Sequence, residues 1–216
     1  PLPTFFNLES GKREALSNAA YQEFAFNSYQ AASVSTIVKE LGIAKGSFYR
    51  YFKNKVDLYT FLIENAFEKR RKFQDGLLEN ESIGFFEILR ENLRRKILFD
   101  LAHPLESIFI FNVLQETNAP EVKPLDDEMK RENLLFLSGL VHGFQKKGEL
   151  NPSVSPELIS QLIFQARLGM YEYLAIFKGI DFKELVRNGQ LVPLTEKEGM
   201  AIADEMLMVV KSGLSI

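Results

Sequence analysis

Apolar residues recur at three- and four-residue spacing through most of the chain, and this pattern predicts amphipathic helices without a convincing strand. In the clearest example, between residues 33 and 41, the apolar stripe consists of Val34, Ile37, Val38 and Leu41. Ser33 precedes the stripe as an N-cap, and Gly42 follows it, where a left-handed C-cap favours a residue without Cβ. The segment is therefore predicted to be a short helix that ends in a tight turn.

A second short helix is predicted to follow this turn, from Ile43 to about Phe52. Phe48 and Phe52 are one turn apart and can pack on the first helix, while Lys45 and Tyr49 form a neighbouring stripe. Two helices that cross over a glycine turn are typical of a helix-turn-helix, whose second helix enters the major groove of DNA. Glycine-linked helix pairs also occur throughout all-helical proteins, so the pair alone leaves a purely structural interpretation open.

The remaining periodic segments bring the expected total to about nine helices in an all-α chain. Besides the two short helices, they cover about 15–24, 55–78, 84–101, 104–115, 126–147, 156–177 and 196–211. The start signals are Ser155 before Pro156 and the capping box of Thr195 with Glu198. A loop is predicted over 118–125, where two prolines stand.

Composition limits the classes of protein that remain. The 216 residues, 46% of them hydrophobic, suit one or two compact units. No apolar run approaches the ~20 residues of a membrane span and no signal peptide is visible, so we expect a cytoplasmic protein without a membrane partner. Cysteine is absent, which excludes disulfides and thiol chemistry.

Charge is distributed unevenly along the chain, although the formal net charge is only −3. Residues 1–75 hold eleven Lys and Arg against eight Asp and Glu, whereas residues 76–216 hold 15 against 21. Within 39–55, five basic residues stand beside a single acid, Glu40. Because DNA phosphates attract local positive charge, this distribution favours a DNA-docking face in the predicted helix pair.

Residues from about 13 to 62 resemble the DNA-binding domain of the TetR family of bacterial transcriptional regulators. The most specific likeness is the run from Gly42 to Lys55, which starts with glycine and ends in an aromatic pair and a lysine. There are two departures from the family pattern. Asn27 and Ser28 stand where the family usually has glycine, and asparagine is expected to preserve the turn because it tolerates left-handed backbone. Tyr51 replaces a common histidine.

The resemblance implies a three-helix, helix-turn-helix DNA-binding domain over residues 1–54 and a helical effector-binding and dimerisation domain over 55–216. The implied base contacts are Lys45, Gly46 and Tyr49. The implied phosphate contacts are Ser33, Ser47, Tyr51 and Lys55. An aromatic side chain at position 51 can equally pack on the first predicted helix, so its contact with DNA stays open.

By the same resemblance, the last two helices are expected to pair with their counterparts in a second subunit as a homodimer. The stripes available for this are Leu158, Leu162, Ala166, Gly169 and Tyr173 on one helix, and Met200, Ala203, Leu207 and Val210 on the other. The alternative is that both stripes close the core of a monomer.

Nineteen phenylalanines are unusual for this length, and many lie in the second half of the chain, which favours an apolar or aromatic small-molecule effector. Polar side chains embedded in the same helices are further candidates for contact with it. The predicted pocket residues are His103, Phe109, Asn112, Phe136, His142, Phe164, Arg167 and Tyr171. Each phenylalanine is also compatible with plain core, and Arg167 with an internal ion pair.

The combined expectation is a ligand-responsive, dimeric regulator: a repressor that a small effector releases from a palindromic operator in double-stranded DNA. A helical enzyme and an interaction adaptor without DNA binding are the alternatives. The sequence contains no nucleophile elbow, phosphate-binding glycine loop, zinc motif or dinucleotide fingerprint, and its two histidines are isolated. We therefore expect no catalytic residues, no metal and no cofactor.

Overall fold

The computed structural model describes residues 1–76, 83–115 and 119–214, and within these ranges it is all-α, with eleven helices and no strand. In chain order they are α1 (Pro3–Phe6), α2 (Ser10–Phe26), α3 (Val34–Glu40), α4 (Lys45–Phe48), α5 (Lys55–Gln74), α6 (Phe85–Ala102), α7 (Pro104–Gln115), α8 (Lys123–Lys146), α9 (Pro156–Lys178), α10 (Phe182–Arg187) and α11 (Glu196–Leu214). The all-α prediction is confirmed. Two short helices, α1 and α10, raise the number above nine, because four and six residues are too few to show an apolar period.

The helices are divided between two compact units. Unit 1 contains residues 1–69 and 103–128, and unit 2 contains residues 70–102 and those from Met129 onward. Helix α7 and the first part of α5 therefore belong with α2, α3 and α4. The units do not coincide with the domains expected over 1–54 and 55–216, and that functional division stays a prediction.

Helix boundaries follow the start and stop signals of the sequence. The hydroxyl of Ser33 accepts from the amide of Ser35 at 3.1 Å, which confirms the predicted cap of α3. Gly42 takes a φ of 65° in the turn between α3 and α4, a left-handed conformation that favours glycine. The capping box of α11 is also confirmed, because the Thr195 amide donates to Glu198 Oε2 at 2.8 Å and the Glu198 amide donates to Thr195 Oγ1 at 3.2 Å.

Three local predictions are corrected by the structure. Helix α4 ends at Phe48 rather than near residue 52, since the chain turns over 49–51 and brings Phe52 into the core. Helix α8 begins at Lys123, because a proline fits the first helical turn, where its missing N–H is not needed. Asn27 has a φ of −125° and is extended rather than left-handed. Residue 118 of the predicted loop and residues 77–78 of the predicted long helix lie outside the described residues.

Unit 1 has a core made largely of aromatic rings. The ring centroid of Phe109 on α7 lies 5.4 Å from that of Tyr21 and 5.3 Å from that of Tyr59, and all three residues are buried. Phe24 joins the group with its centroid 5.1 Å from that of Tyr59. These edge-on contacts connect α2, α5 and α7 in one hydrophobic centre.

Unit 2 is organised around the pairing of α6 with α11. A Cβ atom at Gly199 would lie 3.0 Å from the Cγ2 atom of Ile97, so glycine allows the close approach of the two helices. One buried cluster of the unit includes Phe85 and Phe144. The other consists of Leu93, Ile97, Met170, Leu174, Met200 and Ala203. Helices α6, α9 and α11 all contribute to this second cluster.

The structure corrects the predicted dimer face of α11. Met200 and Ala203 are buried in the second cluster, and Leu207 is partly buried against the interior of unit 2. The exposed apolar residues of α11 are Met208 and Val209. The predicted spacing of apolar residues along α11 is correct, but an apolar stripe does not reveal whether it packs within its own chain or against another chain.

No single helix among the described residues is long and apolar enough to cross a membrane. One pair of consecutive helices, α6 with α7, reaches that length only when the two are added together across the break at His103. This finding concerns length and composition alone.

Candidate nucleic-acid interface

Helix α4 presents two chemically different faces. Phe48 is buried and stacks on Phe52 with 5.5 Å between ring centroids, which anchors the inner face in the core. On the outer side Lys45 and Gly46 are exposed, and Tyr49 at the end of the helix is 51% exposed. The three predicted base contacts are therefore neighbours on an accessible surface that is supported from behind.

Helix α1 supports the end of α4, a contact that was not predicted from the sequence. The hydroxyl of Thr4 donates to the carbonyl of Arg50, which follows α4. Phe5 is buried against Phe52, with 5.0 Å between their ring centroids. The one available signal was Pro3, since proline is favoured at the first position of a helix.

The four predicted phosphate contacts are held in different ways. Ser33 caps α3, and Ser47 and Tyr51 are half-buried. The ammonium of Lys55 is bonded within unit 1. It donates to the carbonyl of Tyr29 at 2.7 Å and lies 4.3 Å from the centre of the Tyr29 ring. Sequence reasoning missed this role because the two residues are 26 positions apart. All four phosphate contacts stay predictions.

Positive charge surrounds the exposed face of α4. The exposed cations in this stretch are Lys39, Lys45, Arg50 and Lys53. Among the acids nearby in sequence, Glu40 is exposed, whereas Asp57 accepts from the amide of Lys53 at 2.9 Å and so caps the start of α5. The exposed surface therefore has an excess of cations, which suits the phosphates of a DNA backbone.

Buried polar contacts tie α2 and α7 to α5 in unit 1. The hydroxyl of Tyr21 donates to the carbonyl of Leu62 at 3.0 Å. Burial raises the pKa of Tyr21, and the negative charge of Glu106 adds to the effect. The carboxylate of Glu106 in turn lies 2.6 Å from Nζ of Lys69. The scaffold behind α4 is thus held by hydrogen bonds as well as by aromatic packing.

Three of the predicted pocket residues lie in unit 1. Phe109 is fully buried in the aromatic core, and the side-chain amide of Asn112 donates to the carbonyl of Phe24 at 3.0 Å. His103 is one-third exposed, with Nδ1 at 3.9 Å from a carboxylate oxygen of Glu106. Phe109 and Asn112 hold α7 against α2, and a role of all three in ligand binding stays a prediction.

The other five predicted pocket residues lie in unit 2. Phe136 and His142 are exposed on α8. Phe164, Arg167 and Tyr171 follow one another on α9 at helical spacing, and Phe164 is buried. The α9 residues share one face, while the two α8 residues are directed to the surface. Their contact with a ligand stays a prediction.

Sequence reasoning missed a buried ion pair beside Tyr171. Lys96 and Asp100 on α6 have an N–O distance of 2.5 Å and are both buried. The ammonium of Lys96 also lies 4.4 Å from the centre of the Tyr171 ring. The opposite charges of Lys96 and Asp100, four positions apart, were a signal for an ion pair on one helix. However, Lys96 directly follows two arginines, and such a run of cations is typical of an exposed helix face.

A groove of about 680 Å³ lies on unit 2 along α6 and α11. Its apolar lining includes Ile83, Phe86, Ile88, Leu207 and Met208. Arg90 and Asp204, which also line it, form a bidentate ion pair with N–O distances of 2.7 and 3.0 Å. The volume is in the range of small-molecule sites. Within the described ranges no group of three or more His, Asp and Glu side chains is placed to hold a metal ion.

Residues 16–60 match the family model described as bacterial regulatory proteins, tetR family. The uncharacterized HTH-type transcriptional regulator YdgC of Bacillus subtilis (strain 168) is 26% identical over 171 residues, which cover 77% of this chain and 80% of YdgC. The fold is similar to the crystal structure of a TetR family transcriptional regulator from Chloroflexus aurantiacus J-10-FL, with a TM-score of 0.81 and 25% identity over 100% of this chain and 99% of that one.

A further similar fold is that of the transcriptional regulator FadR from Bacillus subtilis in complex with stearoyl-CoA. The TM-score is 0.66, and the match covers 93% of this chain and 98% of FadR. At 22% identity this similarity concerns the fold alone.

Proposed function

We propose an operator-binding, effector-responsive role for this chain, which belongs to the TetR family of bacterial transcriptional regulators. The resemblance predicted from residues 13–62 is confirmed, and the chain is a regulator and not an enzyme. In the finer proposal it is a dimeric repressor that occupies a palindromic operator and leaves it when a small effector binds. We expect it in the cytoplasm, where it meets chromosomal DNA.

This proposal rests on the exposed face of α4. Lys45 can donate to the O6 and N7 atoms of guanine, and Tyr49 can contact a thymine methyl. Gly46 lies exposed between them and adds no side chain to the surface. Because Phe48 and Phe52 anchor the inner face, little conformational entropy is lost when α4 enters the groove.

A second copy of the chain is the proposed partner of the exposed apolar residues on α9 and α11. On α9, Leu158, Leu162 and Ile176 are each more than half exposed, and Gly169 between them permits a close approach of helices. Met208 adds exposed apolar surface on α11. Apolar side chains at helical spacing are typical of helix pairing, and a two-fold dimer would offer two copies of α4 to one palindrome.

The proposed effector acts through α5, which begins at Lys55 and ends at Gln74. Two recognition helices have to fit successive major grooves ~34–36 Å apart, so a small displacement of α5 is enough to break the fit. To invert a 99:1 population the effector has to prefer the released state by about 5.5 kcal/mol. An apolar or aromatic effector is supported by the phenylalanine content.

A footprint on DNA from upstream of the chain's own gene, and on selected genomic fragments, tests this function. We expect two symmetric protected half-sites with centres about 10–10.5 base pairs apart, or a multiple of this, since each α4 enters one major groove. Lys45→Ala is expected to weaken both half-sites equally, and Lys197→Ala, which removes an exposed charge on α11, should leave them unchanged. The absence of a protected site, or a single asymmetric one, would contradict the proposal.

A further inference from the structure

Unit 2 contains a group of charged residues that take no part in the proposed DNA contacts. Lys96 and Asp100 form the buried ion pair on α6. Arg167 on α9 and Arg70 on α5 bring their positive charges close enough to act on Lys96. These four residues are called the Arg167 cluster.

The Arg167 cluster has more positive than negative charge. It contains three cations, and its single carboxylate, Asp100, is already bonded to Lys96. Burial, together with the positive charge of Arg70, lowers the pKa of Arg167 to about 9, although the negative charge of Asp100 opposes this. Burial also lowers the pKa of Lys96, although Asp100 opposes this. Three cations that share one carboxylate in a poorly hydrated place cost free energy, so a further anion would be stabilised there.

Arg167 lines a small gap inside unit 2. Its Nε atom is buried and has no hydrogen-bond partner among the residues that the structure describes, while the side chain as a whole is half-buried. The gap has a volume of about 10 Å³, which is close to the space needed by one water molecule. Its other walls include Leu89, Asn92, Leu93, Ile163, Met206 and Leu207. A guanidinium therefore stands at one side of an otherwise mainly apolar space.

We infer that the Arg167 cluster binds the carboxylate or phosphate head group of an effector whose body is hydrocarbon. The inference rests on the proposed function, because it assumes that unit 2 takes up an effector. The planar fork of Arg167 can bind two oxygens of the head group at once. The hydrocarbon body lies against the leucine and isoleucine walls of the gap.

The effector has to widen the gap, because about 10 Å³ does not hold a head group with its chain. Helices α6, α9 and α11, which supply the walls, must separate to admit it. Arg70 offers a route for the response, since a new anion would attract it and it lies on α5. The same helix begins at Lys55, directly after the helix-turn-helix.

Calorimetric titration of the full chain with sodium octanoate, octyl phosphate and octanol tests the inference. These probes share a hydrocarbon chain and differ in the head group. We expect at least one of the two anions to bind about tenfold more tightly than octanol, because a hydrogen bond to a charged group contributes at least this much. The comparison of octanoate with octyl phosphate tells which head group is preferred.

Arg167→Met removes the charge and keeps most of the side-chain volume. It should abolish the preference for the anions and leave the affinity for octanol unchanged. The matched control is Arg187→Met on α10, where the side chain is exposed, and it should keep the preference. Thermal melting followed by circular dichroism verifies folding, and Arg167→Gln serves as a second variant if Arg167→Met does not fold.

Three results would overturn the inference: no binding of any probe, equal affinity for all three, or an anion preference that survives in both Arg167 variants. Footprinting with the same preparations separates a failure of this inference from a failure of the proposed function. A chain that protects its operator but does not prefer an anion would contradict only the inference. A chain that prefers the anion but protects no DNA would contradict only the operator-binding role.

Discussion

The two units differ in what they present at the surface beside their proposed sites. In unit 1 aromatic rings such as that of Phe109 are buried, and cations such as Lys45 are exposed around α4. In unit 2 the charge of Lys96 is buried, while Leu162 and Ile176 are exposed on α9. The first arrangement is that of an ordinary globular core with a polar surface.

From this contrast we infer that unit 2 needs other molecules to reach a low free energy. Exposed apolar stripes and buried uncompensated charges both cost free energy until something covers or neutralises them. A second subunit would cover Leu162 and its neighbours, and an anion would neutralise the Arg167 cluster. In unit 1 the buried carboxylate of Glu106 is already paired with Lys69, and the role that we propose for this unit is to hold α4 for DNA binding.

The largest effect is expected from removing an aromatic ring in unit 1. Phe109→Ala should lower the free energy of unfolding by about 3–5 kcal/mol, because it leaves a cavity among buried rings. The matched control is Phe136→Ala in unit 2, where the ring is 62% exposed, and its effect should stay within about 0.5 kcal/mol. Urea denaturation followed by circular dichroism measures both. Equal losses would show that the packing of unit 1 is not as described.

A smaller effect, this time on the free energy of dimerisation, is expected from a charge in the proposed subunit interface. Leu162→Glu should weaken dimerisation by about 2–5 kcal/mol, since the carboxylate would be buried without a partner. Leu135→Glu on α8 is the control, because this leucine is also more than half exposed but lies outside the proposed interface. Sedimentation equilibrium gives the dimer dissociation constant. If both variants stayed dimeric, the α9 stripe would not be the interface.

The smallest effect concerns the acid stability of unit 2. Hydrogen bonds from Arg94 and Arg95 lower the pKa of Glu91 to about 2 from its usual 4.5. A carboxylate with a lowered pKa in the folded state contributes stability above pH 4.5, and this is lost as the pH falls toward 2. Because Glu91 is partly exposed, we expect a contribution of about 1 kcal/mol.

Glu91→Gln should remove this part of the acid dependence, whereas Glu205→Gln, at an exposed position on α11, should not. Unfolding free energies measured in urea from pH 6 to pH 2 make the comparison. An unchanged pH profile in Glu91→Gln would show that the contacts with Arg94 and Arg95 do not stabilise the folded state.

The sequence was sufficient for the helix-turn-helix because its signals are local. The cap at Ser33 involves an amide two residues away, and the turn at Gly42 depends on the conformation of a single residue. The exposed stripe of Lys45 and Tyr49 follows from helical spacing alone. Neighbouring positions therefore contained the information needed for this surface.

The interior of unit 2 could not be predicted in the same way, because burial depends on distant segments. Phe136 and Phe144 both lie on α8, yet Phe144 is buried and Phe136 is 62% exposed. Lys96 follows Arg94 and Arg95 in a run that resembles exposed charge, and only packing of α6 reveals it as buried. Arg167 was a candidate from the sequence, but its neighbours in the cluster were not.

We propose that the exposed face of α4 reads DNA, and the decisive measurement is operator binding by the double variant Lys45→Ala with Tyr49→Ala. Each base contact is worth about 1–3 kcal/mol, so we expect specific affinity to fall at least about thirtyfold, while Lys197→Ala binds like the unchanged chain. Both side chains are exposed, and circular dichroism should show an intact fold. A correctly folded double variant that still bound its operator with full specificity would contradict the claim.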